Sequence, residues 1–322
     1  MSGISVGLTT ATATSYLAEL HASARPSASR RRSEVVATAA NLGGIGFGPL
    51  VAGLLAEFAP APLGLPYVAF GIALIVLATC VALSPETLSR VEPRPRYRPQ
   101  RIAVPKSARS IFYAATLAGM AAFAVFGVFN SLVPTFLAGT LHEHSHAIAG
   151  AVPFAAFAGG AVAQIISART PTLGLLRRSV PIIVLGMALT AGAMWSASLA
   201  MFIIGGVITG AGGGMVFKGS LAVAASTAPP QSRAEVLAGF FLGAYIGLSV
   251  PIIGLGITTI HVSARDAMLV FAALAAVAIA GSVRAVTQRS LRTGTAAARR
   301  KRPVRRSPSA APFVVGRRSE RT

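Results

Sequence analysis

The chain has 322 residues, 53% of them in the AVILMFWYC set and 12% charged, with a net charge of +20 and a mean hydropathy of +0.67. Soluble domains carry about 25% charged residues, so too few polar side chains are present to coat a water-facing globule, which excludes an ordinary cytosolic enzyme. The basic excess lies between apolar runs rather than on one surface, which argues against a nucleic-acid binder, and a single cysteine, Cys80, excludes a disulfide framework and a multi-cysteine zinc site.

Apolar stretches of bilayer-spanning length, about 20 residues, run approximately from Ser5 to Leu20, Val35 to Phe58, Pro66 to Leu83 and Ile111 to Leu137. They continue from Ile148 to Ser167, Val180 to Trp195, Leu199 to Ala225, Val236 to Thr258 and Ala267 to Val283. The pattern predicts an all-α, polytopic transmembrane bundle of about nine spans, the first being the weakest because it is rich in Thr, Ala and Gly. Loop one holds Arg25 and Arg30 to Arg32, loop three holds seven basic residues from Arg90 to Arg109, loop five holds Arg169, Arg177 and Arg178, and loop seven holds Arg233. The even loops hold almost none, Arg265 in loop eight being the exception. Basic residues of short loops stay on the cytoplasmic side, so the odd loops and the C-terminus are expected in the cytoplasm of a cell expected to carry the chain in its plasma or inner membrane.

Met1 opens almost directly into a span without a basic n-region, so the start does not read as a secretory signal peptide. An outside N-terminus with an odd span count suggests that the chain begins midway through a larger bundle. Residues 1–84 read as a partial three-span bundle, 85–110 as a Pro/Arg-rich cytoplasmic linker, 111–286 as a six-span bundle and 287–322 as a disordered basic tail that touches anionic lipid.

At one fixed offset, Arg32, Glu34, Val35 and Ala37 align with Arg233, Glu235, Val236 and Ala238, and Ile45, Gly46, Gly53 and Leu54 align with Ile246, Gly247, Gly254 and Leu255. Parallel repeats of this kind build one large class of secondary transporters. Glu34 and Glu235, at the inner mouths of the repeated spans, read either as gate residues or as acids stabilised by a helix N-terminus. Small residues let transmembrane helices approach closely. Three one-sided faces, Gly44/Gly48/Ala52, Gly206/Gly210/Gly214 and Gly239/Gly243/Gly247, therefore predict tightly packed neighbours. Pro49 and Pro251 add bends beside two of them.

Gly44, Gly48, Pro49, Ala52 and Gly53 together resemble the G-x-x-x-G-P-x-x-G-G motif on the fifth span of exporters of the major facilitator superfamily, with Ala52 in place of one glycine. The resemblance implies that the nine spans correspond to spans four to twelve of a twelve-span transporter, that the first three spans are missing, and that residues 84–110 are the central cytoplasmic loop. It further implies efflux of a small-molecule substrate by alternating access, with a coupling ion such as the proton and no cofactor. It does not identify the substrate.

Three features remain to be weighed for chemistry. His142-Glu143-His144-Ser145-His146 matches H-E-x-x-H literally, but in a short loop between spans it reads as a polar loop rather than a protease site. Lys218 continues the Gly206/Gly210/Gly214 face, so it reads as a pathway or gate residue or as a lysine snorkelling to the near interface. Tyr245 and Asn130, polar groups inside spans, either line a cavity or hydrogen-bond between helices. Without a phosphate-cradling GK[ST] loop the chain is not expected to be an ATP-driven pump or any enzyme, and nucleic acid is not an expected partner. The competing class is a membrane remnant or scaffold that no longer transports, and the missing wall implied by the resemblance makes transport by this chain alone unexpected.

Overall fold

The computed structural model describes residues 2–24, 31–86, 104–229 and 232–300, and for some of them, Glu34 included, the backbone alone. The described residues form nine long helices and no strand: α1 (Ser2–Ala24), α2 (Arg31–Phe58), α3 (Leu65–Ala82), α4 (Arg109–Phe136), α5 (His146–Ile166), α6 (Thr172–Ser196), α7 (Leu199–Ser226), α8 (Arg233–His261) and α9 (Ala264–Arg300). Eight of them, α2 to α9, are long and apolar enough to cross a membrane. In hydrocarbon every backbone polar group must be paired within its own segment, and a helix does this. The Thr- and Ser-containing α1 is not among the eight.

Two boundaries differ from the sequence reading. Helix α6 starts at Thr172, so Arg177 and Arg178 lie in its first turns and not in a loop. Arginine is a good helix former whose long stem lets the charge reach water from inside a helix. Helix α9 runs on to Arg300, past the expected start of a disordered tail at residue 287, because Ala, Arg and Leu in that stretch extend a helix that is already nucleated. The rest of that tail, 301–322, and most of the expected linker, 87–103, lie outside the described residues.

Helices α4 to α9 surround an aromatic core. Phe123, Phe126, Phe129 and Phe136 line one side of α4, and together with Phe157, Phe202, Phe217 and Phe240 they are less than 2% exposed. Phe126 stacks on Phe157 of α5 at 4.6 Å between ring centroids, and Phe136 stacks on Phe202 of α7 at 4.6 Å. Phe123 packs on Phe217 of α7 at 4.8 Å. Large rings on α4 fit because α7 offers glycines: a Cβ at Gly206 would stand 3.0 Å from the Phe129 ring, and one at Gly213 would stand 3.1 Å from the Phe126 ring.

The same helix meets its other neighbours backbone to backbone. A Cβ at Gly210 would strike the Ala156 carbonyl of α5, and one at Gly214 the Gly160 carbonyl. On the α6 side, Gly205 faces Thr190 and Gly212 faces Ile183. The Gly206/Gly210/Gly214 face is therefore a close-packed seam, as its spacing predicts. Gly243 and Gly247 of α8 likewise press on Thr116 and Met120 of α4.

The glycine face expected on α2 is corrected by the structure. Cβ atoms at Gly44 and Gly48 would meet nothing within 4 Å, whereas Gly46 lies against Phe157 and Gly53 against the His146 carbonyl. Gly150 of α5 meets the Pro49 carbonyl from the other side. The packed stripe is thus Gly46, Pro49 and Gly53, the face on which α5 lies, and Gly44 and Gly48 point away from it. Helix α3 has no buried residue at all, and its Leu74, Ile75 and Val81 are exposed along an apolar surface suited to lipid.

Candidate functional site

Polar side chains inside the membrane are rare and turn toward other helices or a cavity, so their partners locate candidate sites. One such centre, built on Tyr245 of α8, joins α1, α2 and α4 to it. Its hydroxyl lies 3.0 Å from Thr10 Oγ1 of α1 and accepts a hydrogen bond from Asn41 Nδ2 of α2 at 3.3 Å. The ring is held edge-on by Phe123 at 5.6 Å and is stacked on Phe241 at 6.4 Å. Rigid aromatic support on one side aims the phenol at the seam where α1 and α2 meet the six-helix bundle.

The seam is not fully satisfied. Asn41 Oδ1 is buried without a hydrogen-bond partner among the described residues. Leaving a buried acceptor unpaired costs about 1–3 kcal/mol, so this oxygen is a ready contact for a donor that enters the seam. Tyr245 was singled out from the sequence as a polar group inside a span. Asn41 and Thr10 were not, although Asn41 stands just before the run Leu42-Gly43-Gly44 in an otherwise apolar span and carries the same signal as Asn130.

Lys218 belongs to a second, separate cluster. Its Nζ donates to the Gln164 backbone carbonyl at 2.7 Å, and Gln164 Nε2 donates to the Gly214 carbonyl at 3.1 Å. The Gln164 carbonyl lies in the last turn of α5, where carbonyls lack intrahelical donors, and a cation there also complements the helix dipole. Lys218 therefore ties the end of α5 to α7. Gln164, fully buried, was missed in the sequence because an amide near a predicted span end reads as interfacial.

The remaining candidates are not brought together. Asn130 is half-buried on α4, about 10 Å along the helix from Phe123 at 1.5 Å per residue. Glu235 occupies the first turn of α8, the position where a carboxylate complements the helix N-terminus. The side chain of Glu34 lies outside the described residues. The histidine motif does not form a two-imidazole helix face: His142 sits at φ 54° after the turn that ends α4, and His146 is the first residue of α5.

Apolar helices of membrane length, closed by glycine seams and carrying polar contacts inside, define an α-helical multi-pass membrane protein. Residues 116–318, more than half of the chain, match the family model described as Major Facilitator Superfamily, and the chain belongs to that family of transporters. No curated protein matches the chain.

Proposed function

We propose that this chain, although the resemblance makes transport by it alone unexpected, exports a small organic molecule by alternating access, as a secondary transporter of the plasma or inner membrane with its basic loops and C-terminus in the cytoplasm. The observation that carries the reading is the Tyr245, Asn41 and Thr10 centre: it lies where helices before residue 84 meet the six-helix bundle, and it presents an acceptor with no partner among the described residues. Alternating access places the substrate between two such halves. The direction rests on the exporter-type run Gly44, Gly48, Pro49, Ala52 and Gly53 on α2, and the orientation on the loop charges. A proton gradient is the proposed driving force.

Cells expressing the chain, loaded with a panel of fluorescent lipophilic dyes, test this. Energised cells should expel at least one dye faster than control cells, a proton uncoupler should abolish the difference, and Tyr245→Phe and Asn41→Leu should each slow it. Extrusion unchanged by both substitutions would remove the centre from the pathway. The absence of any extrusion, with the protein folded in the membrane, would favour the scaffold reading.

A further inference from the structure

The strongest feature that the proposed pathway does not use lies at the end of the bundle opposite the basic loops, where α2 and α5 meet. The first N–H groups of a helix have no partner in their own helix, and at α5 three nearby acceptors supply partners. Ser145 Oγ accepts from the Ile148 N–H at 3.3 Å, and Glu143 Oε1 accepts from the Ser145 N–H at 3.2 Å. Both acceptors belong to the loop that leads into α5 and move with it. The third is Glu57 Oε2, at the far end of α2, which accepts from the His146 N–H at 2.8 Å and lies 3.5 Å from His146 Nδ1. A carboxylate here also complements the positive end of the α5 dipole.

We propose that Glu57 is a positioning residue of the transport cycle: a latch that holds the outer ends of α2 and α5 together by capping α5 from across the seam. This rests on the reading of α2 and the six-helix bundle as parts that move against each other. Three properties of the contact fit a device that opens. A cap supplied by another helix is broken when the helices part and remade when they close, unlike those of Ser145 and Glu143. Directly beneath it the helices touch through backbone, Gly53 on the His146 carbonyl and Gly150 on the Pro49 carbonyl, so no large side chain is threaded between them at this end of the seam, and the first rings, Phe154 and Phe157, lie deeper along it. The Glu57 side chain is 30% exposed, so water can take its place on the His146 N–H when it leaves. The ionisable residues of the loop and of the first position of α5 are His142, Glu143, His144 and His146, of which His146 meets Glu57, while the segment after Glu57 up to Leu65 carries none.

The test is thiol labelling at the seam. Leu50 is the reporter position because a Cβ at Gly150 would stand 3.2 Å from its Cα. The full chain carrying Cys80→Ser and Leu50→Cys is placed in nanodiscs, where both faces are open, and the rate of maleimide attachment is read. Loss of a charge-assisted hydrogen bond and its dipole contact should accelerate labelling about tenfold in Glu57→Ala, and about threefold in Glu57→Gln, which keeps a neutral acceptor. His146→Ala keeps its backbone N–H and should label at the parent rate. Labelling is read well below the melting temperature of each variant, so that it reports opening of the seam and not loss of the fold. Labelling of Glu57→Ala at the parent rate overturns the proposal, and so does a His146→Ala rate equal to that of Glu57→Ala, which would place the hold in the imidazole. Where Glu57→Ala does not fold, the absence of acceleration in Glu57→Gln overturns it as well. No substrate or gradient enters the measurement, so a chain that fails to extrude dye still reports on the latch.

Discussion

Helix α3 is the more hydropathic of two spans, with a mean hydropathy of 2.3 against 1.9 for the segment containing α4, yet none of its apolar stretch is buried while 67% of the other is. The difference lies in the kind of apolar residue. α3 carries Leu, Ile and Val pointing outward on all sides, as a helix surrounded by lipid can. α4 carries a column of phenylalanines opposed by glycines of α7, and it is this shape match that draws helices together. Lipid tails are as apolar as leucine, so hydrophobicity alone gives two spans no reason to touch. Transmembrane packing here is decided by volume and by buried polar contacts, and these are absent from α3.

Substitutions on the two sides of this contrast should sharpen or break it. The largest effect is expected at Gly210, where a side chain would strike the Ala156 carbonyl. Gly210→Leu should lower folded yield sharply in detergent gel filtration, since overpacking costs about 1–3 kcal/mol even without a backbone collision. Gly71→Leu on α3, where nothing lies within 4 Å, should leave the yield unchanged. Equal losses at the two sites would mean that both helices are packed in the membrane.

A smaller loss is expected from Lys218→Met, which removes the donor to the Gln164 carbonyl. Hydrogen bonds from charged groups contribute about 1.5–3 kcal/mol, so the melting temperature should fall by several degrees, and a melting curve identical to the parent would show that Lys218 merely reaches water. Tyr245→Phe removes one hydroxyl shared by Thr10 and Asn41 and should cost about 1 kcal/mol of stability or less. Its main effect is expected on dye extrusion, and a large melting shift with extrusion intact would make the centre a packing contact.

The smallest effect is expected from one of two glycine substitutions on α2. Gly48→Leu faces open space and should change the melting temperature little, whereas Gly46→Leu meets the Phe157 side chain and should destabilise by about 1–3 kcal/mol. The reverse order would restore the Gly44/Gly48 stripe as the packed face.

The run of amino acids by itself determined that this chain is helical and built for a bilayer, because span length and backbone pairing in hydrocarbon leave few alternatives. It also marked the glycine seam of α7 and the interest of Tyr245 and Lys218, since both features depend on residue type and 3.6-residue spacing within one helix. Which of two glycine stripes on α2 packs, that Asn41 and Thr10 meet Tyr245, and that Glu57 caps a helix far away in the chain were decided only by tertiary structure. Spacing within a helix tells which residues share a face, but the rotation of that face is set by the neighbour it meets, and a neighbour such as α5 is brought in by contacts distant in the chain.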